Sequence, residues 1–265
     1  MRKIVDCFTF YNELDMLEFR LDYLSEAVDF FVICEATRTH IGKEKPLFFK
    51  ENLARFERHL DKIVHVECLD LEEYDPSLNA WINESRQRRY ISEGIESLNL
   101  QNSDVIIVTD ADEIPDIETL LEIKKTGIEG LHTLVQDLYY YNLGCKVGRW
   151  RFPKAADFET YKSIGSPQEM RMTTFGDRGK DIERGGWHFS YFGSPEFIRN
   201  KIEQFAHQEY NSEDYKDTEK IKSKMESGEN LYDGQKFEFI EPSENPYLPI
   251  GYKRLINLAQ VWDPR

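Results

Sequence analysis

The N-terminal half of the chain alternates short apolar runs with longer amphipathic stretches. This alternation is typical of a mostly parallel sheet, because each parallel strand needs a crossover, usually a helix, before the next strand. The predicted strands are KIVDCFTF, DFFVICEA, DKIVHVEC and DVIIVTD, and the predicted helices are NELDMLEFRLDYLSEA, WINESRQRRYISEGIESL and DIETLLEIKK. The pattern therefore predicts an α/β fold with helices flanking the sheet, and ligands at the carboxyl ends of its strands.

Two helix starts are predicted from capping residues. Asn12, with Asp15 three residues later, is the predicted N-cap of the first helix, whose leucines recur at helical spacing. Asp116 is the predicted cap of the helix after Pro115, because proline stops the preceding strand.

After residue 130 the chain becomes rich in aromatic residues and short strand-like runs. No Pro/Gly/Ser linker separates this region, so we expect a mixed-sheet extension of one domain over residues 1–265. The charged C-terminal segment, 211–265, is expected to begin with a solvated helix and loop over 211–235.

Charge and cysteine content narrow the function classes. The chain has 34 basic and 49 acidic residues, a net charge of -15, which argues against nucleic-acid binding. Its four cysteines are widely spaced, which favours buried free thiols and a reducing, cytoplasmic location: Cys7, Cys34, Cys68 and Cys145. No apolar run has the length of a membrane span, so we expect a soluble protein.

The run VIIVTDADEIP ends an apolar strand in an acidic cluster. Asp110 and Asp112, two residues apart, can face one cation that removes their repulsion and binds the phosphates of a nucleotide diphosphate. The alternative is structural: Asp110 ends the strand, and Asp112 with Glu113 caps the next helix. The motif alone leaves both interpretations open.

Four separated motifs occur in one order: DCFTFYNELDMLEFRLDYLSEAVDFFVICEATRTHIGKEKPLFF, ESRQRRYI, DVIIVTDADEIP and GGWHFSYFG. Through about residue 210 the chain resembles glycosyltransferase family 17. The resemblance implies a GT-A-type fold, a UDP-linked sugar donor, transfer of N-acetylglucosamine to a glycan acceptor with inversion, and a divalent ion such as Mn²⁺. Residues 1–125 would then bind the nucleotide sugar, and residues 126–210 would bind the acceptor and complete the metal site.

The resemblance also implies metal ligands. Asp112 would bind the ion directly, Asp110 would contact the ribose or a metal-bound water, and His188 would be the ligand from the second half of the domain. The two glycines before Trp187 permit close backbone approach. The alternatives are a hydrogen-bonded core histidine for His188, and for Trp187 either a core residue or a platform for a sugar.

Nucleotide contacts are expected where the first two strands end. Phe10 would stack on the base and Glu35 would accept its imino hydrogen, unless they are a core aromatic and a strand-end acid. Arg86 would contact the diphosphate, whereas Arg88 is expected to pair with an acid on its own helix.

An inverting transfer needs a carboxylate base. Glu169 and Glu183 are the candidates, with Asp137 a third, although Ser166 and Glu169 also form a capping box. Two other functions compete with the transferase: a haloacid-dehalogenase-like phosphohydrolase, whose nucleophile is the first Asp of such a motif, and a sugar-binding protein without activity.

Overall fold

The computed structural model describes residues 2–75, 77, 79–173 and 180–258. Its strands are β1 (Ile4–Phe10), β2 (Phe30–Ala36), β3 (Ile63–Cys68), β4 (Val105–Asp110), β5 (Glu113–Pro115), β6 (Leu131–Tyr140), β7 (Cys145–Trp150), β8 (Lys154–Asp157), β9 (Lys180–Ser190) and β10 (Glu238–Phe239). Its helices are α1 (Leu14–Leu24), α2 (Phe48–Glu51), α3 (Ala80–Glu96), α4 (Ile117–Thr126), α5 (Phe158–Ile164), α6 (Pro167–Met172), α7 (Pro195–Gln204), α8 (Glu213–Lys216), α9 (Thr218–Ser227) and α10 (Lys253–Leu258). Leu53–Lys62 and Gln208–Tyr210 are 3-10 helices.

One mixed sheet contains all of these strands, in the order β10-β7-β6-β8-β4-β1-β2-β3, with β9 joined to β6 and β5 to β9. The strands β3, β2, β1 and β4 are parallel, as the N-terminal pattern predicts. Beyond β4 the pairing is mostly antiparallel, except that β9 runs parallel to β6. The predicted α/β fold with helices flanking a central sheet is confirmed, and parallel pairing dominates its N-terminal part.

Helices cover both faces of the parallel strands. Leucines of α1 and apolar residues of α4 pack with β1, β2 and β4 in one buried cluster, and Ile91 and Ile95 of α3 pack in another. Asp116 caps α4 as predicted, by accepting a hydrogen bond from the backbone N–H of Glu118. The predicted cap at Asn12 is wrong: Glu13 is the N-cap of α1, and its side chain makes no capping hydrogen bond.

The four cysteines are buried and free, as predicted. Within the described ranges, no helix combines the length and the apolar character that crossing a lipid bilayer requires.

The C-terminal segment contributes to the core, which its charge pattern does not indicate. Ile221 and Met225 of α9 are buried against Tyr141 and Tyr191, at the ends of β6 and β9. The expectation of a fully solvated helix is wrong on this face, because the charged residues of α9 mask an apolar side. The boundaries predicted within the single domain, at 125 and 210, stay predictions.

Candidate functional site

The acidic cluster forms a turn at the carboxyl end of β4, and a buried arginine holds its backbone. Arg20 of α1 is fully buried and pairs with Asp6 through two hydrogen bonds of 2.6 and 2.8 Å. Its guanidinium also donates to the carbonyl oxygens of Asp110 and Glu113, both at 2.9 Å. Because the guanidinium is planar and rigid, these bonds fix the path of the turn.

Asp110 is held by two arginines. Its Oδ1 accepts a hydrogen bond from Arg88 at 3.0 Å, and its Oδ2 accepts one from Arg171 at 2.6 Å. Burial by itself would raise the pKa of Asp110, but the charges of Arg171 and Arg88 outweigh it and lower the pKa to about 2. Asp110 is therefore ionised at neutral pH, and the two arginines balance its charge.

Glu113 lies in β5 with no exposed surface. Arg171 donates to both of its carboxylate oxygens, at 2.7 and 2.8 Å, and Trp150 and the backbone N–H of Asp110 donate to them as well. The alternative that Asp112 and Glu113 cap the next helix is wrong, since Asp116 is the N-cap of α4.

Asp112 has a lysine and a histidine on its two carboxylate oxygens. Lys201 Nζ lies 2.7 Å from Oδ2, and His188 Nε2 lies 3.4 Å from Oδ1. Burial would raise the pKa of Asp112, but Lys201 and His188 outweigh it and hold the pKa well below its usual range. The structure thus brings together two of the predicted metal ligands, Asp112 and His188.

His188 reaches this position through the pairing of β5 with β9, in which Glu113 faces His188. The preceding glycines permit that pairing, as predicted. A Cβ on Gly186 would lie 2.1 Å from the carbonyl oxygen of Ile114, and one on Gly185 would lie 2.3 Å from backbone atoms of Leu134. Any larger residue at either position would push β9 away from its neighbours.

A cavity of about 380 Å³ opens beside Asp112. Its wall includes Asp112 and Lys201, the β1–α1 loop with Glu13, and Tyr191 just after β9. Tyr191 has a φ of 60°, an uncommon conformation for a residue other than glycine and one that clusters at functional sites. This cavity at the carboxyl end of β4 is the candidate active site.

Asp112 and His188 suit a divalent ion, because carboxylate and imidazole are both ligands of Mn²⁺. The ring nitrogen of His188 that faces Asp112 is Nε2, 3.4 Å from Oδ1, so an ion bound by both side chains would take this nitrogen as its ligand. The other nitrogen, Nδ1, is buried and makes no hydrogen bond. Within the part of the chain that the structure describes, no three His, Cys, Asp or Glu side chains cluster closely enough to hold an ion. The pair therefore fits an ion that takes its remaining ligands from a bound diphosphate or water. Both oxygens of Asp110 are engaged by arginines, and its contact with the ribose or a metal-bound water stays a prediction.

Phe10 and Glu35, predicted to contact the nucleoside, are enclosed by protein. Phe10 is 2% exposed and belongs to the main core cluster, so its ring is not open to a base. Glu35 is fully buried and accepts hydrogen bonds from the backbone N–H groups of Phe49 and Lys50, at 3.0 and 3.4 Å. These contacts correct both expectations: Phe10 is a core aromatic, and Glu35 holds the first turn of α2.

The two arginines of α3 exchange their expected places. Arg88 pairs with Glu84 of its own helix, as expected, and it also contacts Asp110. Arg86, expected at the diphosphate, pairs with Glu72 on the surface and lines a second cavity of about 630 Å³ between α3 and α6. Two residues along a helix rotate the side chain by about 200°, so the two arginines lie on opposite sides of α3. The packing of α3 on β1, β2 and β3 decides which one reaches the site.

The base candidates lie elsewhere. Glu169 pairs with Arg89 and Glu183 with Arg149, both at exposed positions, and Asp137 pairs with Lys146. None of the three acids lines the cavity beside Asp112. Ser166 does accept a hydrogen bond from the Glu169 backbone, which confirms the predicted cap.

Trp187 is 1% exposed and donates a hydrogen bond to the carbonyl oxygen of Tyr247 at 3.0 Å. Of the two interpretations of Trp187, the structure therefore supports the core residue.

The model of glycosyltransferase family 17 matches residues 1–241. The chain belongs to glycosyltransferase family 17. Its family relatives include the β-1,4-mannosyl-glycoprotein 4-β-N-acetylglucosaminyltransferases of Rattus norvegicus and Homo sapiens, each 25% identical over 288 residues that cover 94% of this chain and 52% of the relative. The chain thus spans about half the length of the curated relatives it matches.

Among solved structures, this family 17 chain is similar to a mannosyltransferase from Pyrobaculum calidifontis in complex with GDP-Man and Mn²⁺. The TM-score is 0.43 with 12% identity, over 77% of this chain and 62% of the other.

Three basic residues of the site were not predicted from the sequence: Arg20, Arg171 and Lys201. Each is a basic residue on a helix, and such residues usually lie on solvated faces. For Arg20 a signal exists: it lies on the same helix face as Leu17 and Leu24, where the other residues are apolar. Arg171 and Lys201 carry no comparable local signal.

Proposed function

We propose that the protein is an inverting, metal-dependent glycosyltransferase that moves a sugar, N-acetylglucosamine by analogy with its relatives, from a UDP-sugar to a glycan acceptor. The observation that carries the proposal is the pairing of Asp112, which lies in the wall of the cavity, with His188, in a chain of family 17. A cytoplasmic location remains a prediction.

Asp112 and His188 would hold the divalent ion, which when bound neutralises the diphosphate that leaves the sugar. The chain itself fixes these two side chains. Arg20 holds the turn that carries Asp112, and the β5–β9 pairing positions His188. The backbone positions of both ligands are therefore set before the donor binds.

The general base is best assigned to a carboxylate in the cavity wall. Glu13, Asp15 and Asp112 line it, but Asp15 pairs with Arg55 and Asp112 with Lys201. Among the described residues no salt bridge involves Glu13, which accepts a hydrogen bond from the backbone N–H of Asn12. Glu13 is therefore the carboxylate that we propose to take the proton of the acceptor hydroxyl, in place of Glu169 and Glu183.

Substitution of Glu13 by Gln tests this role. We expect kcat to fall by about 10²-fold or more with donor binding unchanged, since a general base acts in the transition state. A Glu169→Gln variant is the matched control and should keep wild-type activity. Equal activity of Glu13→Gln and wild type would contradict the assignment.

The experiment for the function itself is calorimetric titration of UDP-, GDP- and dTDP-sugars with and without Mn²⁺. Mn²⁺-dependent binding of UDP-sugars alone, lost in Asp112→Asn, is the expected result. Binding without any transfer to glycan acceptors would favour the non-catalytic sugar-binding protein. Family membership already disfavours the phosphohydrolase, and hydrolysis of phosphate esters with no nucleotide binding would reinstate it.

A further inference from the structure

Lys201 holds an unusual place in the cavity, because its partner is the residue predicted to bind the metal. Its Nζ lies 2.7 Å from Asp112 Oδ2, and its side chain is 22% exposed. The Nζ also lies 5.6 Å from the ring centroid of Tyr191, which lines the same cavity. A cation therefore already neutralises Asp112 in the protein alone.

The base of this lysine is fixed while its tip can move. Lys201 lies on α7, which is capped by Ser194 and packed through the fully buried Ile198 and Ile202. The four-carbon stem of lysine has several rotatable bonds, so the ammonium group can turn to another anion within a few ångströms while the helix stays in place.

The charges of the cavity wall need such a cation when a diphosphate enters. Glu13, Asp15 and Asp112 are its acids, and Arg55 and Lys201 are its bases. Arg55 is occupied by Asp15 and Glu18. Without Lys201, the acids of the wall would repel a diphosphate. If Lys201 stayed on Asp112, its positive charge would repel a divalent ion bound to that carboxylate.

We propose that Lys201 is an exchangeable counter-ion that couples metal binding to donor binding. In the free protein Lys201 occupies Asp112 and opposes binding of a divalent ion. When a nucleoside diphosphate enters, Lys201 turns to its phosphate oxygens and leaves Asp112 to the ion. This role rests on the proposed function, and it adds the order of events: the ion binds well only together with the diphosphate.

The test is a pair of titrations on Lys201→Met and wild type. In the first, Mn²⁺ is titrated into nucleotide-free protein and free Mn²⁺ is followed by electron paramagnetic resonance. We expect Lys201→Met to bind Mn²⁺ about tenfold more tightly than wild type, because its Asp112 has lost a competing cation.

In the second titration, UDP is added in the presence of Mn²⁺ and the heat is measured. We expect Lys201→Met to bind UDP about tenfold more weakly than wild type, with the affinity for uridine unchanged, since a charge-assisted hydrogen bond to phosphate is lost. Lys201→Arg should keep most of the UDP affinity. Lys222→Met, the same change at an exposed position of α9, should match wild type in both titrations.

A purely structural ion pair predicts a different result, with lower stability and weaker binding of both Mn²⁺ and UDP. That result, or two unchanged affinities, would overturn the coupling. If wild type binds no nucleoside diphosphate with Mn²⁺, the proposed function fails and the coupling is overturned with it. Should Lys201→Met fail to fold, Lys201→Gln carries the same comparison.

Discussion

Arg171 gives the sharpest test of how the acidic turn is stabilised. Its guanidinium makes three charge-assisted hydrogen bonds, two to Glu113 at 2.7 and 2.8 Å and one to Asp110 at 2.6 Å. Glu113 is fully buried and Arg171 is 5% exposed. Substitution of Arg171 by Met keeps much of the apolar contact but leaves the Glu113 carboxylate buried with an uncompensated charge.

The magnitude follows from that burial. Removal of one partner of a buried ion pair costs about 3–5 kcal/mol, out of a total free energy of unfolding of about 5–15 kcal/mol. In a chain of this size each 1 kcal/mol lowers the melting temperature by about 2–4 °C, so we expect a decrease of about 6–20 °C. Urea denaturation, monitored by circular dichroism, measures the free energy of unfolding, and a thermal melt measures the melting temperature.

Two further variants make the result interpretable. Arg89→Met removes an arginine–glutamate pair of the same chemistry whose side chains are 52% and 44% exposed, so it should cost no more than about 1 kcal/mol. The double variant Arg171→Met/Glu113→Gln should recover about 2 kcal/mol, because no charge then remains buried alone. A cost below 1 kcal/mol for Arg171→Met, or no recovery in the double variant, would refute the argument.

Three more predictions concern buried residues around the site. Arg20→Lys should lose about 2–4 kcal/mol of stability, measured by urea denaturation, because an ammonium group cannot reproduce the bonds to Asp6 and to the turn carbonyls. Gly186→Ala should cost about 2 kcal/mol or more and weaken Mn²⁺ binding, since the added Cβ meets the Ile114 carbonyl oxygen at 2.1 Å and a φ of 118° disfavours alanine; wild-type stability would contradict this. Burial and then Arg171 lower the pKa of Lys154 to about 8, so the folded protein releases this proton before the unfolded chain does. Stability should therefore rise between about pH 8 and the ordinary lysine pKa of 10.5, by at most about 1.4 kcal/mol per pH unit, and a rise that persists in Lys154→Met would refute the assignment.

Local sequence pattern was enough to predict the N-terminal strands and three of the helices. The four parallel strands, the helices between them and the cap at Asp116 follow from period and local capping chemistry, which the chain encodes over a few residues. The acidic turn at the end of β4 was also predicted, because it depends on the residue types that follow a strand. The role of the two glycines before His188 was predicted because only glycine lets two backbones approach closely.

The charged partners at the site depend on which distant elements pack together. Arg171 is 61 residues from Asp110 and Lys201 is 89 residues from Asp112. The packing of α6 on β4 places the first, and the packing of α7 on α9 and Tyr191 places the second. The packing of α3 turned Arg88 rather than Arg86 to the site, that of α2 enclosed Glu35, and that of α9 against α7 buried one of its sides. Periodicity fixes the face on which a side chain lies, but the partner of a charge depends on which elements come together, and this is settled only when the whole core has packed.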